Sequence, residues 1–117
     1  MTTVLVVDDD LDLLEMVTFV LTAHNFQVHT LARCKAFFET VSTVKPEAIL
    51  MDVFLGECDG RDLCRQYKSA DSESLPVVLY SAGDVSSASV EESKADIFLR
   101  KPFDVNILIQ RLRSLVR

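Results

Sequence analysis

Short apolar runs alternate with segments of helical periodicity along the whole chain. VLVVD, 4–8, is continuous and β-branched, as expected of a strand buried on both faces of a parallel sheet. After it Leu14, Val17, Val20 and Leu21 recur at helical spacing up to about His24, and Asp9 or Asp10 can cap that helix. FQVHT, 26–30, alternates apolar and polar positions like an edge strand. Phe37, Val41 and Val44 mark a second helix, stopped before Pro46. AILMD, 48–52, is a third buried strand ending on aspartate, and the loop VFLGECDG leads from it to a helix carrying Leu63 and Tyr67. PVVLYS, 76–81, and DIFLR, 96–100, predict the fourth and fifth strands. A last helix follows Asp104, with Val105, Leu108, Ile109, Leu112 and Val116 on one face and Ile107 off it. Residues 81–94 hold five serines and only Val85 and Val90 as large apolar side chains, so the fourth helix is expected to be the least stable element.

Strand–helix alternation with short loops predicts a parallel sheet with helices on both faces. Right-handed crossovers then bring every strand C-terminus to one edge, where such sheets bind ligands at the switch point in strand order. The 117 residues make one domain, 1–117, without repeats or linker-like stretches.

Composition narrows the function. A net charge of -6 argues against nucleic acid or anionic lipid as a direct partner, since both require a positive footprint. No apolar run approaches the roughly 20 residues of a membrane span, and the N-terminus MTTVLVVDDD lacks the basic region of a secretory signal. Cys34, Cys58 and Cys64 are odd in number and lack CxxC spacing. The expectation is therefore packing or surface thiols in a reducing cytoplasm, with no disulfide and no zinc site. His24 and His29 read as surface residues, and neither is a candidate phosphohistidine.

The chemistry sits at the strand ends. The first strand delivers Asp8 and Asp9, the third Asp52, the fourth Ser81 and the fifth Lys101. Asp10 and Asp12 read as helix-start acids. Carboxylates crowded together raise one another's pKa, and a hard divalent cation relieves the repulsion. Mg²⁺, with Mn²⁺ as a possible substitute, takes one or two carboxylates plus waters and phosphate oxygens. A lysine and a hydroxyl suit the remaining oxygens of a phosphoryl group. The set reads as a magnesium site beside an aspartate able to accept phosphate.

The pieces VLVVDDD, ILMDVFLGECDG, VVLYSA and LRKPF, in this order and spacing, resemble the receiver domain of bacterial two-component response regulators over essentially the whole chain. The resemblance implies a flavodoxin-like (βα)5 fold, a doubly wound five-stranded parallel sheet in the order 2-1-3-4-5. It implies that Asp52 is the phosphoacceptor. Asp9 would bind the metal directly and Asp8 through a water, with the Phe54 backbone carbonyl as a further ligand. Ser81 corresponds to the switch hydroxyl, Lys101 to the lysine that pairs with phosphoryl oxygens, and Phe98 to the aromatic switch. Lys101-Pro102 corresponds to the family's cis peptide, and Gly60 to the glycine before helix three. The implied function is transfer of a phosphoryl group from the phosphohistidine of a sensor histidine kinase, or a phosphotransfer protein, to Asp52, with reset by hydrolysis. The face of helix four, strand five and helix five would carry the output and a possible homodimer contact.

Four positions depart from the family pattern. Gly56 stands where proline is frequent, Ser81 where threonine is commoner, Phe98 lacks a phenolic hydroxyl, and Lys94 replaces a turn glycine. Phe54 is bulky and apolar at a position expected to govern phosphoryl lifetime. Two other functions compete: an unphosphorylated pseudo-receiver used for docking, and an aspartate-nucleophile phosphatase using Asp8-x-Asp10. The intact set of five residues disfavours the first. The lack of a cap domain or a later acid pair, together with the unexplained Asp52, disfavours the second.

Overall fold

Five strands, β1 (Thr2–Val7), β2 (Phe26–Leu31), β3 (Ala48–Asp52), β4 (Val77–Ser81) and β5 (Ile97–Arg100), form one parallel sheet in the order β2-β1-β3-β4-β5. The computed structural model describes residues 1–70, 74–102 and 104–116; Phe103, which closes the LRKPF piece, lies outside them. The connecting helices are α1 (Leu11–Ala23), α2 (Phe37–Val44), α3 (Gly60–Ala70), α4 (Ser87–Ser93) and α5 (Val105–Leu115), with a 3-10 turn at Cys34–Ala36 leading into α2.

The inner strands β1, β3 and β4 carry unbroken apolar runs because helices cover both faces, while the edge strands β2 and β5 are only partly buried. Val4, Val6, Leu50, Val78 and Tyr80 point to the α1/α5 side, where they meet Leu14, Leu21, Leu108 and Leu112. Their neighbours Leu5, Val7, Ile49, Met51 and Leu79 point to the other side, against Phe37, Leu63, Cys64 and Tyr67. The alternating Cβ directions of a strand thus feed two cores from one sheet.

Helix ends follow local chemistry. Asp10 caps α1, accepting hydrogen bonds from the backbone N–H of Asp12 at 3.1 Å and Leu13 at 3.2 Å. That leaves Asp9 free of capping duty. Lys45 closes α2 in the left-handed region, with φ +53, just before Pro46. Asp104 caps α5 through the Asn106 N–H at 2.7 Å. The helix expected to be weakest, α4, is seven residues long and buries only Ser93. Lys94 ends it at φ +65, so the turn keeps the left-handed geometry although the glycine is missing. Ile107 is exposed, while His24 and His29 are half-buried.

The cysteines correct the expectation. Cys34 and Cys58, 24 positions apart in sequence, form a disulfide with Cα atoms 6.3 Å apart. Burial of Phe37 draws the 3-10 turn down against the β3–α3 loop, and this proximity has no counterpart in sequence spacing. Cys64 is a free thiol, buried, and burial pushes its pKa up to about 11.

Candidate phosphoacceptor and metal site

The chain leaves β1 at Val7, so Asp8 lies at the strand's mouth, fully buried and anchored by its own N–H to the Leu31 carbonyl at 3.1 Å. Its Oδ1 accepts from the Asp10 N–H at 2.9 Å and its Oδ2 from the Tyr80 hydroxyl at 2.5 Å. Asp52, the last residue of β3, is also buried. Its Oδ1 accepts from the Phe54 N–H at 3.2 Å, and its Oδ2 faces Lys101 Nζ at 3.5 Å. Asp9 is exposed, and carboxylate oxygens of Asp8, Asp9 and Asp52 lie within 4.8 Å of one another.

Lys101 is held by backbone geometry. Its N–H donates to the Ser81 carbonyl at 2.8 Å, and the Lys101-Pro102 peptide is cis. The ammonium sits 3.5 Å from Asp52, 3.8 Å from Asp8 Oδ2 and 4.7 Å from the centre of the Tyr80 ring. One cation thus faces two carboxylates. Burial holds the Asp52 carboxyl above its ordinary pKa; the nearby Asp8 charge adds to this, while the Phe54 N–H and Lys101 act in the opposite direction. Three close carboxylates with one ammonium leave uncompensated negative charge, and an all-oxygen donor set suits a hard divalent cation such as Mg²⁺.

Residues 4–113 match the family model described as the response regulator receiver domain. The chain belongs to the receiver family. Among curated relatives, the response regulator MprA of Mycolicibacterium vanbaalenii is 31% identical over 116 residues, covering 97% of this receiver and 50% of MprA. Protein RcaC of Microchaete diplosiphon is 33% identical over 116 residues but is spanned to only 18% of its length. The chain therefore spans half or less of these two relatives. Among solved structures, the BeF3-activated N-terminal receiver domain of Klebsiella pneumoniae RstA superposes at a TM-score of 0.90 with 26% identity, each chain covered to 99%. A response regulator of Chloroflexus aurantiacus superposes at 0.89 with 30% identity, covering 97% of this chain and 96% of that one.

The other expected site residues of the receiver fall around the same edge. Ser81 ends β4, fully buried, but its Oγ bonds to the Gly83 backbone, accepting from its N–H at 3.0 Å. Among the described residues Ser81 makes no hydrogen bond to Asp52. Phe98 lies in β5, half-buried against the α2/α3 core. Phe54 exposes nearly half its side chain, and its ring lies against Gly83, with the Arg61 guanidinium 5.8 Å from the ring centre. Gly60 opens α3 where a Cβ would collide with the Asp52 carbonyl oxygen.

Tyr80 is the site residue that pattern reading missed. It reads as one more apolar strand position, and the available signal was its place: a buried tyrosine one residue from a strand's C-terminus must satisfy its hydroxyl at the edge where the acids gather.

Proposed function

We propose that this receiver is a phosphorylation-activated cytoplasmic switch that accepts a phosphoryl group on Asp52 from the phosphohistidine of a sensor histidine kinase or phosphotransfer protein. The observation that carries the reading is the Asp52 carboxylate facing Lys101 Nζ at 3.5 Å with Asp8 and Asp9 alongside. A nucleophile, a charge clamp and a cation-binding set share one crevice.

Asp9, Asp52 and the Phe54 backbone carbonyl would hold Mg²⁺ (or Mn²⁺), with Asp8 acting through a water. When bound, the ion offsets charge on the phosphoryl oxygens. The Asp52 carboxylate attacks phosphorus as the phosphorus–nitrogen bond to the donor imidazole breaks. Lys101 pairs with a phosphoryl oxygen, so positioning and electrostatics supply most of the rate. Ser81 then leaves Gly83 for another phosphoryl oxygen and draws in the β4–α4 loop, which biases Phe98 between two packings. The α4/β5/α5 face carries the output, including a possible homodimer contact. Attack of water on phosphorus regenerates the Asp52 carboxylate, so the domain promotes its own phosphorylation and dephosphorylation. The Phe54 ring shields the acyl phosphate and prolongs its life.

The test is intact mass after incubation with Mg²⁺ and acetyl phosphate. The expected result is a gain of one phosphoryl group, abolished in Asp52→Asn and by chelation. An unmodified wild-type mass under these conditions overturns the reading in favour of an unphosphorylated docking module.

A further inference from the structure

The disulfide joins two loops at the edge of the sheet that carries the acids. Cys34 lies in the turn between β2 and α2, and Cys58 lies in the β3–α3 loop, residues 53–59. That loop contains Phe54 and reaches Asp9: Gly56, at φ +72, sits so close that a Cβ there would lie 3.0 Å from Asp9 Oδ2. Val53 and Leu55 anchor it in the α2/α3 core, and its other polar tethers lie within itself or at its base. The Leu55 N–H donates to the Cys58 carbonyl at 3.1 Å, Val53 to Tyr80 at 2.9 Å and Gly60 to Val53 at 2.6 Å. Across to the β2–α2 turn, the other polar link among the described residues is an exposed Lys35–Glu57 pair at 3.9 Å, which constrains little.

We propose that the Cys34–Cys58 pair is a reversible thiol–disulfide modification site, and that its oxidation state sets the affinity of the Asp8/Asp9/Asp52 cluster for Mg²⁺. This rests on the phosphoacceptor reading given above. Cys58 is half-buried and the more accessible partner, whereas Cys34 is 4% exposed. Cys64 stays outside the exchange, being buried and weakly acidic. The oxidant is a low-molecular-weight disulfide of the glutathione class. The Cys58 thiolate attacks it, forming a mixed disulfide and releasing one thiolate. The Cys34 thiolate then attacks the Cys58 sulfur and expels the second. Two protein thiols become one disulfide, one small disulfide becomes two thiols, and the two protons pass to the departing sulfurs.

Oxidation fixes the loop in the conformation that holds the Gly56 backbone against Asp9, and with it the segment whose Phe54 carbonyl would serve the cation. Reduction leaves the loop to its short hydrogen bonds and the burial of Val53 and Leu55, and the cation must then order the exposed tip at Gly56 and Glu57 on binding. Linkage makes the effect reciprocal, so Mg²⁺ favours the disulfide as much as the disulfide favours Mg²⁺.

The experiment measures Mg²⁺ affinity by calorimetry on oxidised and on reduced full chain, alongside a glutathione redox titration with and without Mg²⁺. Oxidation state is read by alkylation after denaturation, which labels one cysteine per oxidised chain and all three per reduced chain. The oxidised form is expected to bind about tenfold more tightly, within the range of ordinary coupling. Saturating Mg²⁺ then lowers the midpoint potential by about 30 mV. Cys58→Ser, with Cys34→Ser as a second variant, is expected to match the reduced affinity under both conditions. Equal affinity in the two forms, or failure of glutathione disulfide to protect Cys34 and Cys58 from alkylation, overturns the proposal while leaving phosphorylation of Asp52 intact. Absence of binding by either form overturns the phosphoacceptor reading and this inference together.

Discussion

The Tyr80 hydroxyl donates to Asp8 Oδ2 at 2.5 Å, joining the end of β4 to the mouth of β1 across β3. Both side chains are fully buried. Burial and the adjacent Asp8 carboxylate raise the tyrosine pKa, so the hydroxyl keeps its proton and remains a donor. Tyr80→Phe removes a hydrogen bond to a buried charge, an expected loss of about 2 kcal/mol, or about 8 °C in Tm. In the proposed site Mg²⁺ would stabilise the same carboxylate as the hydroxyl, so a Mg²⁺-induced rise in Tm should be larger in the variant. Thermal unfolding with and without Mg²⁺ checks both signs, and equal shifts in the two proteins would refute the shared-carboxylate account.

Gly60 and Gly83 make a contrasting pair. A Cβ at Gly60 meets the rigid backbone of Asp52, whereas one at Gly83 meets the outer edge of the Phe54 ring at 2.9 Å. Gly60→Ala should cost about 3 kcal/mol or more, because strand and helix start must separate. Gly83→Ala should cost less than about 1 kcal/mol, because the half-exposed ring can turn aside. Denaturant unfolding of the two variants decides the ranking.

Asp59 caps α3 through the Arg61 N–H at 2.9 Å and holds the Arg61 side chain in an ion pair. These hydrogen bonds from Arg61, larger than the opposing burial, lower its pKa from 3.8. A lowered carboxylate stabilises the fold above its unfolded pKa, and that contribution disappears as pH falls through the folded value. Asp59→Ala is expected to lose about 1 kcal/mol at pH 7, with the gap to wild type narrowing below pH 3.8 as the charge-dependent part is lost. Asp59→Asn retains the cap and should flatten the acid limb of the stability curve.

Lys94 occupies the left-handed region at φ +65, where a side chain crowds its own backbone. Its Nζ reaches Ser69 Oγ at 3.2 Å, but the contact is exposed. Lys94→Gly is expected to raise stability by about 1 kcal/mol, measured by chemical unfolding. A loss instead would mean that the Ser69 contact outweighs the backbone strain.

Much of this molecule was legible before its coordinates. Periodicity located β3 to the residue, because an unbroken run such as AILMD has no use except burial on two sides. The acids, Ser81 and Lys101 could be placed together because crossover handedness sends every strand end to one edge. What escaped was contact between side chains remote in sequence. Nothing in the order of residues says that Cys34 and Cys58 lie side by side, since the packing of Phe37 and Leu55 decides it. Tyr80 escaped because one letter conceals an apolar body and a polar tip. Ser81 stands at the expected strand end, and the bond of its hydroxyl to the Gly83 backbone is a local detail that residue order does not carry.

The one-way sheet also divides the protein's freedom to vary. Asn25, Lys45 and Lys94 mark returns from helix to strand on the rim opposite Asp52, and that rim holds none of the residues assigned a part in phosphorylation. Lineages can rewrite it, lengthen it or graft peptides into it while the signalling chemistry stays untouched. Innovation is cheap at one end of the molecule and constrained at the other.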